Sequence, residues 1–157
     1  MWIELRRWVL ILAAFVVFGS SGCVGGRKVS GDPKGRLQEY ISRSFSVYGV
    51  EDRGALLSFL TGDAKNRLSS WSDEQFRQAF IDSKRKFVKL AFNEVKAVSA
   101  KEVDVTYELT YFSNFGHEAK ITNKKLCQLV FEDGKWMISD VRSIKELLEF
   151  KNELSLP

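Results

Sequence analysis

The sequence predicts an α+β domain, with helices first and then a four-stranded antiparallel sheet, on three observations. Leu37, Tyr40, Ile41, Ser44, Phe45 and Tyr48 recur at helical spacing. Val103, Val105, Tyr107, Leu109 and Tyr111 alternate strictly with Glu102, Asp104, Thr106, Glu108 and Thr110. Asp133-Gly134 is a tight-turn pair between two apolar runs. Helices grouped ahead of strands describe an α+β architecture.

The N-terminus stands apart from that domain. Arg6 and Arg7 precede an uncharged run at residues 8–18, and the small residues "GSSGC" follow. A basic segment, an apolar segment and a small-residue cleavage zone make a secretory signal peptide over residues 1–22. The apolar run is too short to span a hydrocarbon core, which needs ~20 residues. Ser21, Gly22 and Cys23 resemble the lipobox of bacterial lipoproteins, with Ser20 where leucine is usual. That resemblance implies diacylglyceryl modification of Cys23 and attachment to a membrane, each buried CH₂ contributing ~0.8 kcal/mol. Val24 rather than Asp after the cysteine resembles lipoproteins sorted to the outer membrane of Gram-negative bacteria.

Cleavage before Cys23 removes 22 of the 157 residues, a length that leaves one domain of ordinary size. It takes Glu4, Arg6 and Arg7 from a chain of net charge +4 and leaves +3, too mild to specify a partner. With Cys23 acylated, Cys127 has no disulfide partner and reads as a buried small hydrophobe.

Residues 23–33 are Gly-rich and polar, a tether, and residues 34–157 are the domain. Asp32 and Pro33 are suited to the N-cap and first turn of helix one, and Gly49 to its end. Residues 51–85 read as short helices; Ser72 and Gln75 form a capping box, with Phe76, Ala79, Phe80 and Ser83 on one face. From residue 87 the period changes from 3.6 to 2. The strands fall at residues 87–98, 101–112, 119–131 and 135–142, with Cys127, Leu129 and Phe131 in phase. "SIKELLEF" reads as a closing helical turn or two. The alternation in strand two predicts one covered and one wet sheet face.

"LVFEDGKWMISDV" closely resembles the hairpin that ends the sheet in many nuclear transport factor 2-like domains. The long first helix, the short helices, the earlier strands and a turn at Asn114 and Gly116 match that family's order over residues 34–142. The resemblance implies helices packed on a curved four-stranded antiparallel sheet, a cone with a pocket at its open end. It is closest to small exported bacterial members. Some relatives are ketosteroid isomerase-like or polyketide cyclase-like enzymes, whose pocket carboxylate or histidine works beside an oxyanion donor. Other relatives only bind, or form homodimers through the outer sheet face. No catalytic motif of the family matches here, so no catalytic residue is carried over.

The residues themselves favour binding over catalysis. His117, the single histidine, reads as a solvated turn residue. One histidine and one free cysteine do not assemble a zinc site, and no metal or cofactor is implied. Tyr107, Tyr111, Trp136 and Phe92 are the candidate lining of an aromatic pocket for an apolar or glycan ligand, and are otherwise core. Asp104 and Glu108 flank Thr106 on one face, where solvation explains them. Lys84, Arg85, Lys86 and Lys89, with Lys120, Lys124 and Lys125, suit a solvated helix end or anionic headgroups and wall polymers. No nucleic-acid signature accompanies them. The sequence therefore points to a non-enzymatic envelope lipoprotein that binds a partner protein or small ligand. The alternative is an isomerase, dehydratase or cyclase working in the cone.

Overall fold

The computed structural model describes residues 31–113 and 119–150. His117 and the turn at Asn114 and Gly116 lie outside them, as do Cys23 and the signal segment.

Helix α1 (Pro33–Ser44) begins as its sequence dictates. Pro33 occupies the first turn, and the Asp32 carboxylate accepts the Lys34 N–H at 3.0 Å. It ends at Ser44, short of Gly49. The Asp52 carboxylate accepts the N–H groups of Tyr48 (2.9 Å) and Gly49 (3.3 Å), and these side-chain bonds favour a turn over helix. Tyr48, expected on the helical stripe, is consequently 86% exposed. A short 3₁₀ turn (Val50–Asp52) leads into α2 (Arg53–Leu57), and α3 (Gly62–Ser70) and α4 (Asp73–Arg77) follow. At α4 the Ser72–Gln75 capping box forms in both directions, at 3.1 and 2.9 Å. A wider π-type turn, Gln78–Asp82, continues α4.

The sheet is an antiparallel meander in the order β1-β2-β3-β4, with strands Lys86–Ser99, Glu102–Ser113, Ala119–Glu132 and Lys135–Phe150. Asp133 (φ 49°) and Gly134 (φ 82°) make the β3–β4 turn, and both positive angles suit a primed hairpin. Register shifts in β1 at residues 87–89, 92–94 and 97–99, and between β3 and β4, bend the strands into a curved sheet. The first part of β4 is covered at its edge. Ile138 N–H donates to the Phe59 carbonyl (2.9 Å), and Thr61 N–H donates to the Ile138 carbonyl (2.8 Å).

The "SIKELLEF" segment corrects the expected closing helix. It is strand, paired with β3 as far as Phe150 opposite Ala119. β3 is 14 residues long, so the end of β4 finds a row of backbone partners interrupted only by the register shift at Ile144, and this pairing outweighs local helical preference.

Helices and sheet share one core. Leu37 and Ile41 of α1, Leu56, Leu60, Leu68 and Phe76 pack on Val105, Cys127, Leu129 and Ile138, every one at 5% exposure or less. The covered face of β2 is the Val103 face, as its alternation dictates. Its other face carries Asp104, Thr106 and Glu108, and Glu108 stands opposite Lys124. This is an α+β domain: N-terminal helices on a curved four-stranded antiparallel sheet.

Candidate functional site

The helix-facing side of the sheet and the helices line a half-open cavity of about 330 Å³. Helix α1 contributes Tyr40 and Ser44, α3 contributes Arg67 and Leu68, and Trp71 and Phe80 close one wall. Arg85, just ahead of β1, enters from the end of α1 away from its N-cap. Tyr107 of β2 and Lys125 of β3, directly opposite one another in the sheet, form the floor.

Each charged group there has a defined setting. Arg67 is neutralised by Asp140, with Nη2 to Oδ1 at 2.6 Å. Hydrogen bonding to Arg67 holds the Asp140 carboxyl below the ordinary carboxylate value. Arg85 Nη2 donates to the Ser44 carbonyl at 2.8 Å, and its guanidinium carbon lies 4.8 Å from the Phe45 ring centre and 4.9 Å from that of Phe80. Its Nε is buried without a partner among the described residues. Burial pushes the ammonium of Lys125 to lower pKa, and the charge of Arg85 pushes the same way; Glu146 opposes them. Lys125 belongs to no ion pair among the described residues.

The tyrosines hold their protons. Desolvation raises Tyr40 to about 12 and raises Tyr107 further. Tyr111, half-buried beside Arg85, is raised by burial, and its hydroxyl accepts from Asn123 Nδ2 at 3.3 Å. Asn123 is 3% exposed and its Oδ1 has no partner among the described residues. Among those residues, no group of His, Cys, Asp and Glu could hold a metal ion.

The four rings of the expected aromatic pocket do not meet in one place. Tyr107 lines the cone cavity. Tyr111 stacks edge-on with Phe45 at 5.8 Å, beside it. Phe92 lines a separate, open groove of about 610 Å³ between α1 and β1, whose walls carry Lys89 as their single charged residue. Trp136 is 5% exposed at the other end of α1, where it packs on Phe131 at 5.4 Å and donates its indole N–H to the Gly31 carbonyl at 3.3 Å.

The basic cluster likewise divides. Lys86, Lys120 and Lys124 lie on the outer face of the sheet, Lys89 borders the groove between α1 and β1, and Arg85 and Lys125 turn inward. The phase of β3 held the signal for Lys125: it shares parity with Cys127, Leu129 and Phe131. Arg67 and Tyr40 carried no signal beyond helical periodicity.

Comparison with known proteins agrees with this architecture. No family model and no curated protein matches the chain. The structure is similar to the intermembrane space region of the chloroplast protein ARC6, with TM-score 0.51 and 12% identity over 72% of this chain and 96% of that one. It is similar to a type 2 hexachlorocyclohexane dehydrochlorinase (LinA), again with TM-score 0.51 and 12% identity, over 79% of this chain and 93% of that one. At such identity the likeness is one of fold: helices packed on a curved four-stranded antiparallel sheet, the architecture that the resemblance to nuclear transport factor 2-like domains implies.

Proposed function

We propose that this protein is an envelope lipoprotein, anchored through Cys23 at the periplasmic face of the outer membrane, whose cone binds a small ligand without transforming it. The lipobox-like residues before Cys23 support the anchorage. The observation that supports binding is the lining of the cavity: rings and cations. Tyr40 and Tyr107 keep their protons across the physiological range, because burial raises both. Such groups hold a ligand by shape and hydrogen bonds, and they make poor bases near neutral pH.

One observation favours the enzymatic alternative. Lys125, its pKa lowered beside Arg85, is a group of the type that serves as a base when desolvated. A dehydrochlorinase shares the fold, which is compatible with that reading at the level of architecture.

Two measurements test the proposal. Radiolabelled palmitate is expected to enter the wild type and not Cys23→Ala; equal labelling of both overturns the anchorage. A compound that binds the purified protein is expected back chemically unchanged after prolonged incubation, by mass spectrometry. Product that accumulates with wild type and not with Lys125→Met overturns binding without turnover.

A further inference from the structure

We propose that the cone cavity is an anion site: it takes a small monocarboxylate whose charged end lies between Arg85 and Lys125 and whose apolar body lies against Trp71, Phe80 and Leu68. The inference rests on the reading of the cone as a ligand cavity and adds the chemical class of the ligand.

The charge balance carries it. Three cations line the cavity, and no Asp, Glu or His does so among the described residues. Arg67 is matched by Asp140. Arg85 is bonded only to a neutral carbonyl, from Ser44, and its Nε–H is left over. Lys125 belongs to no ion pair among the described residues. The acid whose charge reaches it is Glu146, exposed on β4 opposite Asn123. Cations withdrawn from water without a counter-charge are costly, and an anion placed between them relieves both.

Geometry favours a carboxylate. Contact with Phe45 and Phe80 fixes the plane of the Arg85 guanidinium, and a fixed fork suits a planar two-oxygen acceptor. Size limits the body. At the ~30 Å³ that a water occupies in the liquid, the cavity's 330 Å³ has room for about ten non-hydrogen atoms. A simple inorganic anion would leave the Trp71 and Phe80 walls unfilled.

Calorimetric titration of the full chain tests this with four probes: hydrocinnamate, octanoate, the neutral amide of hydrocinnamate, and inorganic phosphate. At least one of the two carboxylates is expected to bind saturably, and hydrocinnamate about tenfold or more tighter than its amide. Lys125→Met is expected to lower hydrocinnamate affinity about tenfold and so abolish its preference over the amide. Arg85→Gln should do the same; because Arg85 also holds the Ser44 carbonyl, Lys125→Met decides the matter if Arg85→Gln unfolds. An amide that binds as well as its acid overturns the anion site and leaves the cone a ligand cavity. Phosphate that matches the carboxylates overturns the role of the apolar walls. Absence of binding by all four probes overturns the anion site and the ligand-binding reading together.

Discussion

Arg36 of α1 reaches the backbone of Trp136 on β4: its Nε donates to the Trp136 carbonyl at 3.1 Å, and its Nη2 donates to the Ser58 carbonyl at 3.0 Å. One side chain thus joins the first helix, the segment after α2 and the last strand. The guanidinium also lies 4.0 Å from the centre of the Phe59 ring. Arg36→Ala is expected to lower unfolding stability by about 2–3 kcal/mol, because two charge-assisted bonds are lost and two carbonyls are left to water. A urea midpoint unchanged from wild type would contradict this bracing role.

Trp136 makes a separable contribution. Trp136→Phe keeps a ring against Phe131 and removes the indole N–H bond to Gly31, so a loss of about 1 kcal/mol is expected. Trp136→Ala opens a cavity and should lose about 3–5 kcal/mol. Because the ring sits away from the cone cavity, carboxylate affinity in Trp136→Phe should stay within about twofold of wild type. A larger change in affinity would place Trp136 in the ligand site after all.

Cys127 is fully buried, and burial raises its thiol far above the ordinary range. In the native protein it should resist thiol reagents and become reactive only as the chain unfolds. Labelling kinetics that rise in step with urea would show this, and rapid labelling in buffer would refute it. Cys127→Ser places a hydroxyl in the same apolar site and should lose about 1–3 kcal/mol.

Acid stability is expected to depend on Asp140. Its hydrogen bond to Arg67 depresses the folded-state pKa below the ordinary 3.8. The resulting stabilisation is therefore present above that value and disappears as pH falls through the lower, folded value. Asp140→Asn should be less stable than wild type at neutral pH, and the gap should close in acid. Urea midpoints from neutral pH down to pH ~3 provide the check. A gap of constant size would show that the carboxylate's charge is not what stabilises.

Much of the fold was legible because it follows from local chemistry. The Asp32-Pro33 helix start, the Ser72–Gln75 box, the Asp133-Gly134 turn and the alternation of β2 all stand where residue types put them. The end of β4 did not, because its conformation depends on β3, which is remote in sequence and supplies the pairing partners. The cavity was legible only in part. Tyr107 follows from strand parity, and Lys125 follows from the same parity once charge is set aside. Trp136 and Phe92 share the aromatic character of Tyr107, yet the register and the α1 packing send them to different places. Arg85 turns inward because the π-type turn and the end of α1 meet there, a tertiary fact with no sequence period.

Helix α1 also gives the molecule a polarity. Its N-cap lies beside Trp136, where Gly31 is tied down, and its other end carries the Ser44–Arg85 bond. Twelve residues separate these ends by about 18 Å. From Cys23 to Gly31 the chain advances eight residues, a leash that reaches at most about 28 Å. If Cys23 is acylated as proposed, the lipid joins the chain on the N-cap side of α1, one helix length from the Ser44–Arg85 bond.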